Sequence, residues 1–115
     1  MDTRSKIVNL SAWHPATLKP VVSGYFDPLL ALHVERLESL ATEMGPLTVV
    51  LLDPPDAILP TDARASVVAA LECVETVVLS GGQPAPEARL RFEQEDTVLR
   101  AGFGMAPVDR AALVA

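Results

Sequence analysis

Apolar positions along this chain fall into two alternating patterns. Pro20-Val21-Val22-Ser23-Gly24-Tyr25-Phe26 opens with β-branched residues and runs into glycine, which predicts a strand over 20–26 and the loop that leaves it. From Pro28 to Met44, Leu30, Val34, Leu37, Ala41 and Met44 recur at steps of 4, 3, 4 and 3, one face of an α-helix. Asp27 is placed to cap that helix with Pro28 at its first position, and Gly45-Pro46 to stop it. Leu47 to Leu52 is apolar at all but one position, the pattern of a strand covered on both faces. A second helix is expected from Thr61 or Asp62 to about Val74, with Val67, Ala70, Leu71 and Val74 inward. A third strand is expected over 75–80, ended by Ser80-Gly81-Gly82.

Strand, helix, strand, helix, strand with two-sided apolar strands is the order of a parallel α/β unit, so a single three-layer, Rossmann-like domain is expected over 20–115. Residues 1–19 show no sustained period apart from Ile7-Val8-Asn9-Leu10 and read as an extension over the domain, anchored by Trp13. After Gly82, alternation of Leu90 and Phe92 predicts a short strand within Arg89 to Glu93. A last helix is expected to open at Glu95 or Asp96 and to end near Arg100.

Composition narrows the functions. The 115 residues are 50% hydrophobic, which suits a folded core and not disorder, and with one Trp, one Tyr and three Phe that core is aliphatic. Nine basic against fifteen acidic residues give a net charge of -6 with no basic patch, which argues against nucleic acid and against an anionic membrane. The single cysteine, Cys73, forms no internal disulfide, and no Cys/His cluster suggests a metal site. The start of the chain has no signal-peptide core and no apolar run is long enough to span a bilayer, so a cytoplasmic protein is expected.

Candidate chemistry sits where a parallel sheet usually presents it, in the loops at the carboxyl ends of its strands. These are Ser23 to Pro28, Asp53 to Asp56 and Ser80 to Gln83. Gly24 permits close backbone approach, and the helix that follows offers N–H groups to a phosphate. His33 either faces that mouth as a donor or packs into the helix face. Arg64 either reaches a triphosphate or makes a surface salt bridge, and Asp53 and Asp56 read most simply as turn residues beside prolines.

Gly24-Tyr25-Phe26-Asp27-Pro28-Leu29-Leu30-Ala31-Leu32-His33 resembles the first motif of the cytidylyltransferase-like nucleotidyltransferases, G-x-F-D-x-x-H-x-G-H followed by a helix. This HxGH superfamily includes heptose-phosphate adenylyltransferases and glycerol-phosphate cytidylyltransferases. Asp62 to Val78 is similar to the family's E-x-R-x-x-V-L-A-A-L-x-x-V-D-x-V-V segment, and the two stretches together span about half the chain. The resemblance implies a truncated nucleotidyltransferase fold, a nucleotide bound by Gly24, Tyr25, Phe26, Asp27 and His33, and, if transfer is active, His33 and Arg64 as catalytic groups with magnesium as cofactor. Leu30 and Leu32 stand where the family has its first histidine and its glycine. No lysine lies between Asp53 and Arg64, and no Ser/Thr-rich motif follows Gly82.

Two functions follow from that pattern. One is a degenerate, catalytically impaired domain that binds a nucleotide or phosphorylated small molecule or serves as an interaction module, with an empty pocket blocked by Leu30 and Leu32 as its limiting case. The other is an active transferase joining CTP or ATP to a small phosphorylated sugar or polyol. Family members carry further strands after the third, and the stretch after Ser80 is short for them. The exposed sheet edge must be covered either by Arg89 to Glu93 folding back or by a second subunit. A homodimer is expected, with Trp13, or Phe103 and Met105, packed across the interface.

Overall fold

A computed structural model describes residues 3–13, 20–84 and 87–93. Five strands, β1 (Ile7–Asn9), β2 (Val21–Gly24), β3 (Leu47–Leu51), β4 (Val74–Leu79) and β5 (Leu90–Arg91), form one sheet in the order β1-β4-β3-β2-β5. Every pairing is parallel. Helix α1 (Ala31–Met44) connects β2 to β3, and α2 (Thr61–Ala69) connects β3 to β4. The α/β class and parallel sheet expected from the sequence are thus found.

Register explains the core. Ile7, Val77, Val49, Val22 and Leu90 lie side by side across the five strands. Val22, Val49, Leu51 and Val77 join Leu37 of α1 and Ala65, Val68 and Ala69 of α2 in one buried cluster, so both helices cover the same face. Val50 and Val78, which point to the opposite face, are also fully buried. Burial on both faces is what the unbroken apolar run of β3 requires, and it agrees with a three-layer, Rossmann-like arrangement.

Three details depart from the sequence reading. Ile7–Asn9, expected in an extension over the domain, is an edge strand paired with β4. It is too short to show a period, and a long-range contact settles it: Lys6 Nζ donates to the carbonyls of Leu71 at 3.2 Å and Val74 at 2.8 Å. Next, α1 begins at Ala31, not Pro28, and its capping residue is Leu30. Asp27 is drawn away because its carboxylate accepts the backbone N–H of Ile58 at 2.7 Å and of Leu59 at 2.8 Å.

Both helices are also rotated relative to expectation. On α1 the inward residues are His33, Leu37, Leu40 and Ala41, while Met44 is 40% exposed. On α2 they are Arg64, Ala65, Val68 and Ala69, while Val67 is 49% exposed and Val74 belongs to β4. Burying Arg64 in the first turn fixes that rotation, because residues four apart share a helix face. Leu90 and Arg91 pair with Val22 and Ser23, so this segment does fold back on the sheet. The helix expected after Glu95, and the contacts expected of Phe103 and Met105, lie outside the described residues.

The rotation of α2 is testable by truncating neighbouring valines. Val68→Ala should lower unfolding free energy in urea by about 1.5–3 kcal/mol, whereas Val67→Ala should stay within about 0.5 kcal/mol. Equal losses would mean that the helix presents a different face.

Candidate functional site

The three loops singled out in the sequence lie at the carboxyl end of the sheet, and Arg64 ties the loops after β2 and β3 to the start of α2. Its side chain, 2% exposed, reaches out of the first turn of α2 under the loops. Nε donates to Leu59 O at 3.1 Å, Nη1 to Tyr25 O at 3.0 Å and Leu52 O at 2.8 Å, and Nη2 to Asp53 Oδ1 at 3.0 Å and Thr61 Oγ1 at 3.2 Å. A guanidinium has five N–H groups, and each has an acceptor here. Thr61 Oγ1 in turn donates to Asp53 Oδ1 at 3.0 Å, closing a triangle. Arg64 is therefore neither a surface ion pair nor free to meet a phosphate, and Asp53 is its partner as well as a turn residue.

Gly24 lies at the topological reversal, where the chain, having moved outward from β2 to β4, returns to place β5 on the other side of β2. That is the usual crevice for a ligand. Here it is filled from within. Phe26 sits in the left-handed region at φ 46, and its ring folds back over Gly24. A Cβ at Gly24 would lie 2.8 Å from the Phe26 ring and 3.0 Å from Phe92 Cβ, so the close approach that only glycine allows is used by the protein's own side chains.

His33 completes the filling. Its ring, 7% exposed, stands edge-on to Phe26 at 5.3 Å and to Phe92 at 5.5 Å. Phe26 and Phe92 are 5.2 Å apart, and the Arg36 guanidinium lies 5.5 Å over the Phe92 ring. His33 Nδ1 accepts the Leu30 N–H at 3.1 Å, so the imidazole performs the reverse half of a capping box and, when neutral, carries its proton on Nε2. Of Leu30 and Leu32, expected to block the pocket, Leu30 is half-buried and Leu32 is 55% exposed. Phe26 and Phe92 are the actual plug.

On the opposite face of the same edge, the Ser23 hydroxyl donates to Glu93, with its two carboxylate oxygens at 2.6 and 2.9 Å. Arg91 Nη1 is 3.9 Å from Glu93 Oε2. Phe92 and Glu93 were visible in the sequence only as part of a short alternating run, with nothing to link them to residues seventy positions earlier.

Beside the filled crevice, a cavity of about 190 Å³ opens over the ends of β2, β3 and β4, lined by Tyr25, Leu52, Asp53, Ser80, Gly82 and Gln83 among others. The Ser80 backbone is satisfied: its N–H donates to Leu51 O and its carbonyl accepts from Gln83 N–H, both at 3.1 Å. Gly81 at φ 60 and Gly82 at φ 82 form the intervening turn, which requires left-handed residues. The Ser80 side chain is not satisfied, for its Oγ is buried without a hydrogen-bond partner among the described residues. Such a group costs about 1–3 kcal/mol.

A larger groove at the amino end of the sheet is lined by Glu38, Thr42, Leu71, Glu72 and Cys73. Burial, and then Glu38, push the Cys73 thiol above its ordinary value, which makes it a poor nucleophile. Magnesium, implied if transfer is active, does not fit the carboxylates at the candidate site. Asp27 uses both oxygens on backbone N–H groups, Asp53 Oδ1 is held by Arg64, and no metal-holding group of His, Cys, Asp or Glu occurs among the described residues. Nor is any helix there long and apolar enough to cross a membrane.

If Arg64 organises the loops, Arg64→Ala should reduce stability by about 3–5 kcal/mol, since it strips acceptors buried at three strand and helix ends. Asp53→Asn keeps an acceptor in a partly exposed position and should cost under about 1 kcal/mol. Urea midpoints of the two variants check the order.

No protein-family model matches this chain, and a search of the curated proteins likewise finds no match. The residues themselves therefore carry the functional reading.

Proposed function

We propose that this chain is a non-catalytic small-molecule-binding domain on a nucleotidyltransferase-like architecture, taking a nucleotide or other phosphorylated small molecule at the carboxyl edge of its sheet. The observation that carries this reading is the commitment of Arg64: all five donors bind protein acceptors, beside a cavity that stays open. His33, the other candidate for catalysis, is packed between two phenylalanines with Nδ1 already bonded. Leu30 offers no donor where the resembling family has a histidine. One lost electrostatic donor is worth roughly 3 kcal/mol to a transferring phosphoryl group, so several together remove orders of magnitude in rate.

Incubation of the protein with CTP or ATP, magnesium and a panel of sugar and polyol phosphates tests the reading through pyrophosphate release. No release above the protein-free blank is expected, with heat of binding in a calorimetric titration of at least one nucleotide. Release that disappears in His33→Ala would establish the active transferase instead, and silence in the titration at millimolar nucleotide would remove the binding role.

The proposal includes a homodimer. Trp13 is only half-buried within one chain and retains surface for a contact across an interface. Light scattering at micromolar concentration should give twice the chain mass, and a mass near 12.2 kDa rejects the dimer.

A further inference from the structure

We infer that His33 is a proton-operated latch on the crevice at Gly24. Neutral, it holds Phe26 and Phe92 in place as the plug; on taking up a proton at Nδ1 it lets them go.

The latch is one hydrogen bond. His33 Nδ1 accepts the N–H of Leu30, the capping residue of α1, at 3.1 Å. An imidazole nitrogen accepts only through its lone pair, and in the imidazolium both nitrogens donate. A proton on Nδ1 therefore sets two N–H groups against each other at this distance, whatever Nε2 donates to. Either the ring or the start of the helix must move.

The ring cannot move alone. It is 7% exposed and stands edge-on to Phe26 at 5.3 Å and to Phe92 at 5.5 Å, with those two rings 5.2 Å apart. Displacing His33 removes one wall from both phenylalanines. Phe26 is also held at φ 46, a backbone conformation that a residue with a side chain keeps only where its surroundings enforce it. Once its ring loses that wall, the conformation loses its support. The space vacated lies over Gly24, at the reversal of strand order where parallel sheets usually take a ligand.

Charged neighbours among the described residues oppose a second cation here or are engaged elsewhere. On α1, Arg36 lies 5.5 Å over the Phe92 ring, and Arg89 lines the same groove as Arg36. Beyond β5, Glu93 accepts from Ser23 on the opposite face and lies 3.9 Å from Arg91. In the loop before α1, Asp27 spends both oxygens on the N–H groups of Ile58 and Leu59, and Tyr25 lines the open cavity. The closed arrangement needs Nδ1 without a proton, so falling pH favours the open one. Histidine is the side chain whose charge ordinarily changes between about pH 5 and 8.

NMR of the intact chain between about pH 7.5 and 5 tests the latch. The amides of Gly24, Phe26 and Leu30 should shift with the same midpoint as the His33 ring protons. Their protection from hydrogen exchange, corrected for the intrinsic effect of pH, should fall at least ten-fold. His33→Gln keeps a side-chain acceptor of the kind a capping box uses but does not titrate, so both responses should vanish in it. His33→Phe keeps a ring without the acceptor and should show low protection at either pH. His14→Gln should respond as the natural chain does, and it leaves His33 as the one histidine, which keeps the test decisive even if the His33 variants fail to fold. Titration of the His33 ring with no change at Gly24, Phe26 and Leu30 overturns the latch. So does a response that survives in His33→Gln, or a His33 ring that takes up no proton in this range.

Discussion

The carboxyl end of this domain depends on one buried guanidinium. A charge taken out of water is tolerated only when it is paired and its donors are all satisfied, and Arg64 meets that condition with two ends of parallel strands, the start of its own helix and one carboxylate. Where β2 and β3 leave the sheet, Tyr25 and Leu52 present carbonyls that no neighbouring strand takes up, and Arg64 takes them instead. The same contact turns α2 so that Ala65 and Val68 face the core and Val67 faces solvent. One side chain thereby sets the geometry of the loops after β2 and β3 and the rotation of α2.

The crevice at the reversal of strand order follows a similar logic. Glycine after the first βα strand is the residue that lets a phosphate approach the backbone, but the approach is equally open to an aromatic ring. Phe26 takes it, in a left-handed conformation that costs about 1–3 kcal/mol and is offset by burying the whole ring, worth a similar amount. His33 then lies in an aromatic box where its Nδ1 finishes the helix N-terminus. The crevice where parallel sheets usually hold a ligand is part of the packing here.

How far these features were legible in the sequence depends on whether a neighbour or a distant residue decides them. Strands β2, β3 and β4 and helices α1 and α2 were readable within a few residues, because β-branched runs, a recurring apolar stripe and Gly-Pro punctuation are local signals. Helix rotation was not, since a periodicity argument leaves polar Arg64 off the inner face and leaves His33 open between the mouth and the packing, and both are buried. Asp27 read as a helix cap because it precedes Pro28, yet two N–H groups more than thirty residues away hold its carboxylate. β1 was missed because three residues cannot display a period, and its place follows from Lys6 reaching the α2–β4 junction. Of the candidate residues, Gly24, Phe26 and His33 pack against one another, a contact that no local signal in the sequence shows.

The contrast between Arg64 and Ser80 explains why the open space lies where it does. Both are buried polar residues at the same end of the sheet. Arg64 is held by its fully satisfied donors, and any ligand that recruited it would first have to break hydrogen bonds already made in a low-dielectric setting. Ser80 Oγ is buried with no partner among the described residues, and so carries a desolvation cost that Arg64 does not. The residue the fold left unsatisfied thus lies two strands away from the crevice at Gly24. With that crevice filled by Phe26 and Phe92 and every Arg64 donor taken, the open cavity at this end of the sheet lies instead over the ends of β2, β3 and β4, between Asp53 and Gln83.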